Sequence, residues 1–166
     1  MLPIQPIKDT LKNLQLLYDS HTETSQKIYF SKLAILELCG WLEAVEDEII
    51  KGYASVKLSG QSNIEITEMV KRNYGFEYKG HLRPMIIQLV GIKGIETLEN
   101  NLEPAGVLEI LIMQLSSLWA LRSILAHTST VITGATQTYQ APSCMTTYLR
   151  SLHPILTTLE NELNQL

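Results

Sequence analysis

Residues 104–130 read PAGVLEILIMQLSSLWALRSILAHTST, and the reading of this stretch decides the fold. Pro104 suits the first turn of a helix, and from there to His127 the only polar residues are Glu109, Gln114, Ser116, Ser117, Arg122, Ser123 and His127. The pattern predicts one long helix, apolar around most of its circumference. Such a helix is expected at the centre of a protein, because a helix on the surface needs a full polar face. Its longest uninterrupted apolar runs, Ile110 to Met113 and Leu118 to Leu121, fall far short of the roughly 20 residues a bilayer requires, so the stretch reads as buried in protein.

On a helical wheel of about 100° per residue, Glu109, Ser116, Ser123 and His127 share a narrow stripe, whereas Arg122 falls with Leu111, Leu115, Leu118 and Leu125 on the most apolar side. An unpaired guanidinium there is costly, so something must meet it: a carboxylate from another helix, a subunit interface with trapped water, or an anion such as phosphate. Arg122 and His127 are five positions apart, which separates them by about 140° around an ideal helix and about 7.5 Å along it. Convergence therefore needs a long reach by Arg122, a distorted last turn at His127, or a symmetry mate across a dimer. Thr128, Ser129, Thr130, Val131 and Thr133 are poor helix formers leading to Gly134, which puts His127 near the helix end.

A helix carrying Leu121-Arg122, then Ala126-His127-Thr128, preceded by an earlier helix with Trp41-Leu42-Glu43, resembles the HEPN superfamily, and most closely its RiboL-PSP type. The resemblance covers most of the chain, though its defining Arg and His motif is short. It implies a compact, all-α up-and-down bundle with a long apolar central helix. It also implies a metal-independent endoribonuclease working as a homodimer, of the kind found in toxin, antitoxin and defence systems, with an antitoxin or neighbouring-gene product as a further partner. Carried over by position, Arg122 would bind the scissile phosphate, His127 would assist proton transfer, and Glu43 would orient or neutralise the basic pair. Ser123 is a departure, since active members usually have Asn, Asp or His after the Arg; serine still donates and accepts a hydrogen bond. The competing class is a catalytically inactive bundle that acts by binding: a toxin-neutralising subunit, a nucleotide-binding accessory or a dimeric scaffold.

The chemistry is coherent from first principles. RNA carries its own nucleophile in the 2′-OH, so cleavage needs a group to manage protons and a cation to stabilise charge on the phosphoryl oxygens. An imidazole and a guanidinium suffice, without a cofactor.

The 166 residues are 45% apolar, which suits a single domain over 1–166 with a sizeable core. A net charge of −4 argues against avid nonspecific nucleic-acid binding, though a local basic patch can still serve a site. Cys39 and Cys144 form no disulfide framework and have no metal-ligand spacing, so a reducing cytoplasm is the natural setting, and the start of the chain shows no export signal.

Ile7, Leu11, Leu14 and Tyr18 predict a first amphipathic helix over 6–18, and Thr22 or Thr24 caps a second reaching about Tyr53. In that second helix Glu43 shares a side with Lys32, Glu46 and Asp47, which also fits a solvated acidic face. A break at 60–63 precedes a short helix over 64–73. The next stretch, KRNYGFEYKGHLRP (71–84), interleaves Lys71, Arg72, Lys79 and Arg83 with Tyr74, Phe76 and Tyr78. Lys71, Arg72, Tyr74, Lys79 and Arg83 are the candidate contacts to single-stranded RNA; a solvated connection with core-anchored aromatics is the plainer reading. Two short helices are expected over 85–89 and 95–102, a loop over 129–143 that covers the site, and a last helix from Met145 that Pro154 kinks or restarts.

Gly91-Ile-Lys-Gly94 matches a KH clamp loop without the β-rich surroundings such a domain needs. No Glu-x-x-His, HExxH, Walker loop, GxGxxG or CxxC is present, so no metal is expected.

Overall fold

The computed structural model describes residues 3–127 and 139–166, the side chains of Ala126 and His127 excepted. Among these residues are six α-helices and no strand: α1 (Gln5–Ser20), α2 (Thr24–Lys57), α3 (Gly60–Lys71), α4 (Arg83–Leu102), α5 (Val107–His127) and α6 (Pro142–Asn164). A π-helical turn (Tyr78–Leu82) leads directly into α4, and a 3-10 turn (Glu103–Ala105) links α4 to α5. The expected all-α helical bundle is what forms, with apolar side chains from all six helices in one core.

The helix at the centre is α2 and not α5. α2 packs against α1, α3, α4, α5 and α6, and its buried residues recur every three or four positions from Ala34 through Leu38, Leu42, Val45, Ile49 and Tyr53. α5 is buried along one stripe only, Leu108, Leu111, Leu115, Leu118 and Leu125, while Ile110, Met113 and Ile124 stay exposed. Each buried leucine contributes roughly 1.5–3 kcal/mol, enough to dock α5 on a single face. The helix was expected at the centre because apolar residues surround it; in the folded chain only the stripe with the tightest 3–4 spacing is covered. By length and composition alone, Val107–Leu125 would suffice to cross a membrane.

Several boundaries shift for local reasons. Pro104 lies in the 3-10 turn, and α5 starts only after Gly106, whose φ of 64° is left-handed backbone that glycine adopts freely. The two short helices expected over 85–102 are one element interrupted at Gly91, which at φ 71° and ψ 177° is not helical. α6 begins at Pro142, three residues earlier than expected, and runs through Pro154 without a break. The missing proline N–H leaves the Arg150 carbonyl unpaired in the helix, and Arg150 is exposed, where water can serve it. Most of the loop expected to cover the site, 128–138, lies outside the described residues.

Candidate functional site

Arg122 follows Leu118 by one turn and precedes Leu125, so it occupies a place in the buried stripe of α5 and points at α2. The carboxylate that meets it is Glu43, whose Oε1 accepts a hydrogen bond from Arg122 Nη1. The pair joins residues 79 positions apart and remains about 30% exposed, with side-chain accessibilities of 31% for Arg122 and 28% for Glu43. The guanidinium rests on aromatic faces, 5.6 Å from the Trp119 ring centroid and 5.9 Å from that of Phe76, whose rings meet edge to face at 5.6 Å. A guanidinium carries five N–H donors, and among the described residues Arg122 commits one of them. Ser123 is half-buried beside it. His127 is the last residue of α5, and its side chain lies outside the described residues.

The acidic side of α2 is not the solvated face that its spacing allowed. Glu46, three residues beyond Glu43, is fully buried, and among the described residues neither of its carboxyl oxygens has a hydrogen-bond partner. Burial, reinforced by the negative charges of Asp47, Glu43 and Glu77, holds its carboxyl well above the usual carboxylate range. Cys39 is buried nearby with Sγ 4.0 Å from the Leu118 carbonyl oxygen; burial pushes its thiol up to about 12 against the opposing pull of Arg122, so it is an inert core thiol.

The π turn completes the surroundings. Glu77 caps it by accepting from the Gly80 N–H at 2.5 Å, and its other oxygen accepts from Ser116 Oγ of α5 at 3.2 Å. This ties the turn to the helix that carries Arg122. His81, within the turn, lies against the same indole as Arg122, with ring centroids 5.0 Å apart. Its Nδ1 is 3.0 Å from Asn73 Oδ1.

The stretch 71–84 divides between core and solvent. Phe76 and Tyr78 are buried. Arg83 leaves the set of free RNA contacts, because its Nε and Nη2 donate to Glu99 Oε1 and Oε2 at 2.6 and 3.1 Å, and the Tyr78 hydroxyl donates to the same carboxylate at 3.0 Å. Lys71 pairs with Glu68 at 2.6 Å on the surface. Arg72, Lys79 and Tyr74, the last 79% exposed, face solvent. The plainer reading of this segment, with aromatics anchored in the core, therefore holds for its middle, and only its outer residues remain open to a ligand.

Glu77, Asn73, His81 and Trp119 are the site residues that sequence reasoning missed. His81 was visible as a lone imidazole in 71–84, but nothing in its spacing linked it to Trp119, 38 positions away in another helix. Among the described residues, no three His, Cys, Asp or Glu side chains are grouped to hold a metal ion. No protein-family model, curated protein or solved structure matches the chain.

Proposed function

We propose that this protein is a HEPN-like, metal-independent endoribonuclease in which Arg122 and His127 act on the scissile phosphate. The observation that supports it most is the state of Arg122: held in a leucine stripe by one carboxylate contact and two aromatic faces, it keeps the rest of its guanidinium fork uncommitted and partly accessible. A guanidinium held in place, with donors uncommitted among the described residues, is suited to stabilising charge that develops on phosphoryl oxygens. Glu43 orients the guanidinium, and Ser123 lies beside it. His127 is the last residue of α5 and, by the same resemblance, would assist proton transfer. Arg72, Tyr74 and Lys79, with Lys71 at the edge, are the candidate contacts to the strand on either side.

The partners proposed are RNA, a second copy of the chain and a neutralising antitoxin, in a cytoplasmic toxin or defence setting. A second reading, an inactive bundle that binds without cutting, is favoured by Ser123 and by the Glu43 contact that already neutralises Arg122.

The test is cleavage of a mixed RNA panel in excess EDTA by the wild type, Arg122→Ala and His127→Ala. Chelator-resistant cleavage that both substitutions abolish, with helical circular dichroism retained, supports the nuclease. Wild-type cleavage no greater than that of the variants turns the assignment to the binding scaffold.

A further inference from the structure

We infer that His81 is a second imidazole of the Arg122 site and serves as the general base that takes the 2′-OH proton of a bound RNA strand. This rests on the ribonuclease reading above and assigns to His81 a role that the Arg and His motif does not contain.

The geometry fixes how the ring can act. The Asn73 side-chain amide donates through Nδ2 to the Gly75 carbonyl oxygen at 3.0 Å, so its Oδ1 is the atom facing His81 Nδ1, also at 3.0 Å. A carbonyl oxygen can only accept, which requires the proton to sit on Nδ1. In the neutral ring the lone pair is then on Nε2, the form a base needs. Nε2 has no hydrogen-bond partner among the described residues and is not among the sealed, unpartnered atoms.

Three further contacts hold the ring. Trp119 lies against its face, and the π turn that carries it is capped by Glu77, itself bonded to Ser116 of α5. Gly75 supplies the third: a Cβ at that position would stand 2.5–2.7 Å from Nε2, Cε1 and Cδ2, over the face of the ring, so only glycine lets the ring lie where it does. π turns recur at functional sites, and this one aims an imidazole whose orientation is determined on every side.

His81 also opens on a groove of about 390 Å³ with Arg72, Asn73 and Gln88 on its walls and Met69 and Met85 at its base. Arg72 offers a phosphate contact there, and Arg122 and His81 rest on one indole, 5.6 and 5.0 Å from its centroid. In the step, the 2′-OH proton passes to His81 Nε2 while the 2′-oxygen forms a bond to phosphorus. The bond from phosphorus to the 5′-oxygen breaks, and that oxygen leaves with a proton from solvent. The products are a 2′,3′-cyclic phosphate and a 5′-hydroxyl, and exchange with solvent resets the His81 ring.

The experiment measures chelator-resistant RNA cleavage by the full chain as wild type, His81→Ala and Gly75→Ala, with and without added imidazole, and binding of an all-2′-deoxy oligonucleotide by fluorescence polarisation. His81→Ala is expected to lower kcat about 100-fold or more with KM and oligonucleotide affinity within about threefold, and imidazole to restore cleavage several-fold. Gly75→Ala, which keeps the imidazole but pushes its ring off this seat, is expected to lower kcat without imidazole rescue. Nitrogen-15 histidine spectra of the wild type should show His81 as the Nδ1–H tautomer.

Wild-type rates in His81→Ala, or a loss that imidazole does not relieve in a folded variant, overturn the role of His81 while leaving the ribonuclease standing. If His81→Ala does not fold, the Nε2–H tautomer or undiminished cleavage by Gly75→Ala overturns it instead. Absence of wild-type cleavage overturns both.

Discussion

Two arginine–glutamate pairs in this bundle look alike in a contact map and differ in what they leave free. Arg83 and Glu99 are joined through two parallel hydrogen bonds, and the Tyr78 hydroxyl takes a further place on the carboxylate. Arg122 and Glu43 share a single hydrogen bond, with aromatic rings in place of additional polar partners. The first closes a bidentate pair within α4, to which Tyr78 ties the π turn. The second fixes a cation in position while leaving its donors to be used. Accessibility does not separate them, since Arg83 at 34% is about as exposed as Arg122 at 31%. The number of committed donors does, and it distinguishes a structural arginine from one poised for an anion.

The sharpest way to break that contrast is to remove each arginine in turn. Arg122→Ala should lower chelator-resistant RNA cleavage by about 100-fold or more, as loss of a charge-stabilising donor does, with the helical spectrum kept. Arg83→Ala should leave cleavage by the folded protein within a few-fold. Single-turnover rates on one RNA report both, and the opposite ranking would reverse the assignment of the two pairs. In chemical denaturation the order should invert: Arg83→Ala should cost about 2 kcal/mol, because it strands the half-buried Glu99 carboxylate.

Glu46 presents the opposite case, a fully buried carboxyl whose two oxygens have no hydrogen-bond partner among the described residues. Glu46→Met, close in shape and without the unpartnered oxygens, should stabilise the protein by about 1 kcal/mol near neutral pH. The gain should grow as pH rises. With its folded pKa held above the usual value by burial, Glu46 stays protonated in the folded protein while the unfolded chain ionises, so wild-type stability falls with rising pH from the ordinary carboxylate range upward, and the substitution removes that fall.

The smallest effect is the mirror image at Glu99, whose carboxyl the Arg83 hydrogen bonds hold below its usual value. Its contribution is complete above the ordinary carboxylate range and disappears as pH drops through the lowered folded value. Arg83→Ala should flatten that acid limb in denaturation midpoints measured as a function of pH.

Much of this architecture could be read from the chain, and the exceptions have causes. Helical periodicity located five of the six helices to within about four residues, because each carries its own repeat of buried positions, as Ile7, Leu11 and Leu14 do in α1; it divided α4 in two at Gly91 and read a break over 60–63, where α3 begins. It also required a partner for Arg122, since a guanidinium in a leucine stripe cannot stay unmatched. It misplaced the centre of the bundle, because apolar residues around α5 and the alternation along α2 do not say which faces neighbours will cover. Glu43 was singled out by resemblance alone. Glu46, one turn away and on the same side of the wheel, was indistinguishable until burial separated them.

The all-α chain, the helix that carries Arg122 and the need to neutralise its charge all follow from residue order within single elements. That Glu43 answers that charge, that α2 lies at the centre, and that Trp119 brings His81 and Arg122 to one indole are outcomes of helix packing. Those outcomes join positions 38 to 79 residues apart, and which side chains meet across such distances depends on how the helices pack, a property that no local period encodes.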